Sequence, residues 1–382
     1  MKKIVSLILL LAAAAVPQFA EASVDTARSA CVINAATGDI VFEKNAEEQL
    51  PMASTTKIMT AYTALKNSEL NDVVTVSMNA QQQEGSGMYI AAGEQFYMED
   101  LLYGLMLNSG NDAAVAIAEH ISGDAGKFVD LMNQTAWEMG AGNTMFCNPN
   151  GLPNPSHYTT AKDLAKITMN AMKLPEFRKI VSSRSRTVWQ APKQTAAGTE
   201  VPQKAYELYN HNKLLGTYDG AVGVKTGYTE AAGRCLVSAA ERDGMTFIAV
   251  TLNDNDDWNT HVQLLDAAFA EHHPAKLASK GEVIKEFMLD GKKYTFSADR
   301  DCVIPLKDNA KNRINASIHI TPELPVPVNR GEKVGYVEYS SGGNVYASVD
   351  IVSDSDITGV GKYRLKNSFY EIWKNVWDFF LV

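Results

Sequence analysis

Pro51-Met52-Ala53-Ser54-Thr55-Thr56-Lys57-Ile58-Met59-Thr60-Ala61 is the stretch on which the reading of this chain turns. Proline suits the first turn of a helix, where its missing N–H costs nothing. Ile58, Tyr62 and Leu65 recur at helical spacing, so the pattern predicts a helix from about Ser54 to Lys66. Residues three apart on a helix share a face, with Cβ atoms roughly 5–6 Å apart. Ser54 and Lys57 are such a pair. A serine hydroxyl is a weak nucleophile until a base takes its proton. A lysine amine can be that base when burial or a neighbouring cation lowers its pKa. The start of the helix also turns backbone N–H groups toward charge that develops near Ser54. Ser-x-x-Lys arises by chance about once in a chain of this length, so the pair needs partners.

Candidates for those partners lie downstream. Leu101, Leu102, Leu105 and Met106 form an apolar stripe that predicts a helix over Met98 to Leu107. Asn108-Ser109-Gly110-Asn111 breaks it, and Asp112 reads as the cap of a second helix, Ala113 to Ile121, ended by Gly123. Ser109 and Asn111 therefore sit in a tight connection between two apolar helices, although Ser, Gly and Asn are also ordinary turn residues. Ser77-Met78-Asn79 matches the same Ser-x-Asn pattern without such surroundings. Farther on, Gly220–Thr229, Cys235–Ala240 and Phe247–Leu252 read as an antiparallel meander, with Asn259 to Ala270 as a closing helix. Lys225, Thr226 and Gly227 lie on its first strand. Glycine lets a ligand or backbone approach closely. Lys225 and Thr226 supply a cation and a hydroxyl donor suited to a carboxylate. A strand-edge lysine beside a bulge glycine is the plainer alternative. His157, ahead of the helix carrying Leu164, Ile167 and Met172, reads as a structural hydrogen-bond partner rather than a catalytic base.

The rest of the chain bounds the answer. It has 382 residues, 46% apolar and 21% charged, enough for two domains. A net charge of −9 with no basic block argues against a nucleic-acid partner. Lys2 and Lys3, the apolar run from Ile4 to Val16, and Ala20-Glu21-Ala22 together read as a signal peptide over residues 1–22, with a retained anchor as the alternative. Export from a bacterial cell follows from that reading. Cys31, Cys147, Cys235 and Cys302 are scattered, without metal-ligand spacing, and read as free thiols. Ala30 to Phe42 has the pattern strand, turn, strand. Composition changes near Pro274. We expect a catalytic domain over residues 23–273 and a small all-β domain over 274–358, interrupted by Glu323-Leu324-Pro325-Val326-Pro327. Over residues 359–382, Phe369, Ile372, Trp373, Val376, Trp377 and Phe380 are interleaved with lysine and arginine. They predict an amphipathic helix, lying on a membrane or packed on its own domain.

Ser-x-x-Lys, Ser-x-Asn and Lys-Thr-Gly in this order form the signature of β-lactamases and penicillin-binding proteins. The surroundings, Asn108-Ser109-Gly110-Asn111-Asp112-Ala113-Ala114 and Gly223-Val224-Lys225-Thr226-Gly227-Tyr228-Thr229 among them, resemble the low-molecular-mass penicillin-binding proteins that act as serine D-alanyl-D-alanine carboxypeptidases. The resemblance implies an α/β, β-lactamase/transpeptidase-like domain: an antiparallel sheet flanked by helices, with a helical lobe, followed by the β domain. It implies catalytic roles for Ser54, Lys57 and Ser109, and substrate binding by Asn111, Lys225, Thr226, Gly227 and Tyr228. It also implies no metal or organic cofactor, a peptidoglycan stem peptide as substrate, and β-lactams as covalent inhibitors. Tyr228 stands where many relatives have histidine. His211 stands near the place of an arginine found in some, which questions that arginine's share in carboxylate binding. A β-lactamase, or a penicillin-binding sensor that stays acylated, is the alternative. The Glu-x-x-x-Asn segment of a class A β-lactamase is not found after Ser109-Gly110-Asn111.

Overall fold

The computed structural model describes residues 24–191, 203–307, 314–321, 323–341, 344–364 and 369–374. The signal-peptide reading falls on residues 1–22, outside them. The chain begins with the hairpin β1 (Ala27–Asn34) and β2 (Ile40–Lys44), then a 3-10 turn, Ala53–Thr56, that runs into α1 (Lys57–Asn67). A helical lobe follows. In it β3 (Val73–Thr75) and β4 (Gln95–Tyr97) bracket α2 (Met78–Gln81), ahead of α3 (Met98–Leu107), α4 (Asn111–Ser122) and α5 (Ala125–Glu138). Next come α6 (Ala161–Met172), α7 (Pro175–Ser182), the hairpin β5 (Ser185–Trp189) and β6 (Ala205–Tyr209), and the short α8 (Leu214–Thr217). The chain returns to the sheet as β7 (Ala221–Thr229), β8 (Gly233–Arg242) and β9 (Met245–Asp254), and α9 (Asp257–Glu271) closes it.

The five strands pair antiparallel in the order β2-β1-β9-β8-β7, which leaves β7 at an edge. Successive side chains of a strand point to opposite faces. Cys31 and Ile33 enter the core shared with α1, α3, α4 and α6, while Ala30 and Val32 pack with Leu264, Leu265 and Ala268 of α9. Ile248, Val250 and Leu252 of β9 join the first core, and Phe247 and Ala249 the second. Both faces are covered, so these strands read as unbroken apolar runs. His261 of α9 is fully buried between Ser238 Oγ and Thr251 Oγ1 and satisfies both hydroxyls beneath the sheet.

One local expectation needs correction. The helix after the Ser109 turn starts at Asn111, with Gly110 in the cap position and Gly123 left-handed at its end. Asp112 does not cap it. Its carboxylate is drawn away to accept N–H bonds from Met88, Tyr89 and Ile90, three donors with no helical partner of their own. Ser77 of the decoy match is an N-cap, accepting from Ala80 N.

The second unit is all-β, as expected. β10 (His272–Ala278) pairs with β13 (Cys302–Lys307). A six-stranded sheet contains β11 (Val283–Leu289), β12 (Lys292–Ala298), β14 (Ile314–Ile320), β16 (Lys333–Ser341), β17 (Asn344–Ser353) and β19 (Phe369–Lys374). The proline-rich stretch forms β15 (Glu323–Val328), which joins β18 (Ile357–Arg364) in a separate two-stranded sheet. Its core holds Phe296, Ile304, Ile318, Val337, Val349 and Ile351 and is distinct from the two above. The helix expected over 359–382 is not what the described residues form. Ile357–Arg364 and Phe369–Lys374 are strands, and residues 365–368 and 375–382 lie outside the described set. Aromatic and β-branched residues favour the pleated backbone, and β14 offers a free edge to pair with, so tertiary pairing overrides the helical spacing. Among the described residues, no helix is long and apolar enough to cross a membrane.

Candidate active site

Ser54 lies in the 3-10 turn ahead of α1. Ala53 before it is left-handed at φ +47°, and the Thr55 and Thr56 hydroxyls bond back to the Met52 and Ala53 carbonyls at 2.6 and 2.8 Å. The expected one-turn spacing holds: Lys57 Nζ lies 2.9 Å from Ser54 Oγ. Lys57 is fully buried, and its Nζ also donates to Asn111 Oδ1 (2.7 Å) and the Asn150 carbonyl (2.5 Å). Burial, then the charge of Lys225, push the Lys57 ammonium well below its ordinary pKa, against an opposing pull from Asp112.

Lys225 on the edge strand β7 is also buried, and burial lowers its pKa to about 7. β7 runs hard against the nucleophile. A Cβ on Gly227 would lie 3.0 Å from Ser54 N and 3.1 Å from Thr55 N, so only glycine lets the strand approach this closely. From the other side, Gly151 at φ +89° would place a Cβ 2.0 Å from the Ala53 carbonyl oxygen. The nucleophile turn is clamped between two glycines.

Ser109 sits in the left-handed region at φ +59° in the α3–α4 turn, one residue before the Gly110 cap and two before Asn111. Asn111 bonds Lys57 through Oδ1, the Glu84 carbonyl through Nδ2 (2.5 Å) and the Ser86 carbonyl through its N–H (2.7 Å). A cleft of about 340 Å³ is lined by Ser54, Ser86 and Ser109 on one wall and by Thr226, Gly227 and Tyr228 of β7 on the other. Every predicted site residue thus converges here: Ser109, Thr226, Gly227 and Tyr228 line the cleft with Ser54, and Lys57, Asn111 and Lys225 are buried around it. His157 is not part of it. Its Nε2 lies 2.7 Å from Thr56 Oγ1, and its Nδ1 accepts from Cys147 N. Burial, then the Lys57 charge, hold it down to about 4, so it is neutral at physiological pH.

Sequence reasoning missed several neighbours. Lys213, Arg234, Asp257 and Trp258 also line the cleft, beside the His211 already singled out, with Arg234 Nη2 bridging both Asp257 oxygens at 2.7 and 2.9 Å. Arg234 lies opposite Tyr228 in the β7–β8 register, which only strand pairing reveals. The Asn150 carbonyl belongs to the irregular loop over 148–155, and a backbone acceptor leaves no side-chain signal in the sequence. All four cysteines are free thiols, three of them buried.

A buried, pKa-lowered lysine on a serine hydroxyl, in a cleft whose other wall is a glycine-bearing edge strand, defines a serine acyl-transfer enzyme. The comparisons agree. Residues 16–256 match the family described as D-alanyl-D-alanine carboxypeptidase, and residues 273–358 match that described as the C-terminal domain of penicillin-binding protein 5. The chain belongs to the D-alanyl-D-alanine carboxypeptidase family of serine peptidases. It is 29% identical over 347 residues to D-alanyl-D-alanine carboxypeptidase DacF of Bacillus subtilis, covering 88% of this chain and 87% of the relative. It is 28% identical to DacC of Escherichia coli, covering 96% and 91%. The crystal structure of DacD from Francisella tularensis aligns with a TM-score of 0.61 at 29% identity, over 87% of this chain and 94% of that one. The Streptomyces K15 DD-transpeptidase aligns at 0.59 and 33% identity, over 64% and 97%.

Proposed function

We propose that Ser54 is the nucleophile of this serine D-Ala-D-Ala carboxypeptidase, Lys57 its base and Ser109 its proton relay. The observation that carries the reading is the 2.9 Å contact between Lys57 Nζ and Ser54 Oγ, with the lysine buried and a second buried lysine nearby. Neutral Lys57 takes the Ser54 proton as Oγ attacks the carbonyl between the two terminal D-alanines of a stem peptide. The tetrahedral oxyanion is held by the backbone N–H groups of Ser54 and Tyr228; losing one such donor typically costs roughly 100- to 1000-fold in rate. Collapse breaks the C–N bond. The leaving D-alanine receives its proton through Ser109, supported by Lys225, and water then hydrolyses the ester on Ser54. Asn111 orients the substrate amide, and Thr226 with Gly227 receives the terminal carboxylate. β-Lactams acylate the same hydroxyl.

The same proposal takes residues 1–22 as an export signal, 23–273 as the catalytic domain and 274–358 as the β domain, which puts the enzyme outside the cytoplasmic membrane. The aromatic and basic residues beyond 358 suit contact with a lipid surface by their composition. Sedimentation with anionic vesicles, with and without residues 359–382, tests that contact. The enzymatic test is incubation with a pentapeptide ending in D-Ala-D-Ala. Release of one D-alanine, abolished in Ser54→Ala, supports the assignment; equal release by Ser54→Ala removes it.

A further inference from the structure

The mechanism above asks one thing of Lys57 that burial alone does not supply: a lone pair aimed at Ser54. A neutral amine has two N–H bonds and one lone pair. Two fixed acceptors, Asn111 Oδ1 at 2.7 Å and the Asn150 carbonyl at 2.5 Å, account for both N–H bonds. The remaining direction points to Ser54 Oγ at 2.9 Å. Aim therefore depends on how firmly each acceptor is held. Asn111 is rooted in α4 and bonded to the 84–86 backbone. Asn150 sits in an irregular loop.

That loop is tethered by a side chain no motif contains. The Asn150 amide, 2% exposed, donates to Gln83 Oε1 at 2.9 Å. Gln83 in turn donates through Nε2 to the Asn79 carbonyl of α2 at 3.0 Å, and Asn79 Nδ2 reaches Glu119 of α4 at 2.7 Å. Both acceptors of Lys57 thus trace back to α4, one directly and one through α2, Gln83 and Asn150. We propose that Gln83 is a positioning residue for the general base: it fixes the Asn150 carbonyl so that the Lys57 lone pair faces the nucleophile. This rests on Lys57 acting as the base. Gln83 touches neither Ser54 nor Lys57 and acts through Asn150 alone.

The test is the second-order rate of acylation by a fluorescent penicillin, measured against pH, on the full chain. Gln83→Met keeps side-chain length and removes the acceptor; Asn150→Ala removes the donor and keeps the backbone carbonyl. Each variant should lower the plateau rate about tenfold, a fraction of what general-base catalysis supplies. The double variant should be no slower than either single, because both break one link. The charged groups facing Lys57 are Lys225 from β7 and Asp112 from α4, with His157 close by and neutral. All remain in these variants. A loosened carbonyl stabilises the ammonium less, so the acidic limb of the profile should move to lower pH. Wild-type rates in Gln83→Met at every pH overturn the proposal. So does a loss with an unmoved limb and an additive double variant, the mark of a loosened loop alone. Failure of the underlying assignment shows separately, as labelling that persists in Ser54→Ala.

Discussion

Lys225 holds an unusual position for a cation. It is 1% exposed, and its side chain makes one hydrogen bond among the described residues, to the carbonyl of Thr226 at 3.0 Å. Burial moves its pKa from 10.5 to about 7. The unfolded chain therefore binds a proton here that the folded chain does not, at every pH between those values, so folding stability rises with pH from about 7 toward 10. At or below pH 7 the full shift applies, a cost on the order of 4 kcal/mol. Lys225→Met should accordingly be more stable than the parent in urea at pH 7, with the gap closing toward pH 10, and should lose most of its acylation rate. A constant gap across that range, or a less stable variant, contradicts the account. At this scale the sequence was legible where chemistry resides in side chains: Ser54, Lys57, Ser109, Asn111, Lys225 and Thr226 all meet at one site. It was silent where the partner is a backbone carbonyl, as at Asn150, or is brought in by strand register, as at Arg234.

Among the elements, α4 organises the cleft. Its second residue, Asp112, 4% exposed, accepts from the N–H groups of Met88, Tyr89 and Ile90 while Asn111 beside it holds Glu84 and Ser86. Tyr89 is kept at φ +61°, a strained conformation for a side-chain-bearing residue, by that grip. Asp112→Ala would strand three donors and should cost roughly 2–4 kcal/mol, with faster amide hydrogen exchange over 84–90 than over α3. Unchanged exchange in that segment would show that it is held by something else. Helices with a clean apolar stripe and clear breakers were readable: Met98–Leu107 is observed with the expected bounds. The start of α4 was misread because a buried aspartate near a helix N-terminus resembles a cap until its long-range donors are known. The terminal segment was misread because its aromatic residues satisfy helical spacing and strand propensity at once, and the free edge of β14 decides between them.

Across the whole molecule, the helical lobe and sheet share cores that stop at α9, and the β unit has its own. Among the described residues, nothing that lines the cleft comes from beyond Trp258. A chain cut to residues 24–272, which keeps His272 against Phe247, should therefore fold and take up fluorescent penicillin within about twofold of the full rate. A large loss would mean that the β unit shapes the site. The change of composition near Pro274 made the two-part plan readable, whereas the strand order β2-β1-β9-β8-β7 rests on pairings between strands more than 200 residues apart, such as Ala27 with Asp254, that no local pattern encodes. In the proposed mechanism one hydroxyl, on Ser54, made reactive by the lysine a turn away, carries the acyl group. Peptide mapping by mass spectrometry after brief penicillin exposure tests it directly. The account predicts a single covalent adduct on the peptide containing Ser54, missing in Ser54→Ala and slowed in Lys57→Ala; an adduct on Ser109, or one that forms at full rate without Lys57, would contradict it.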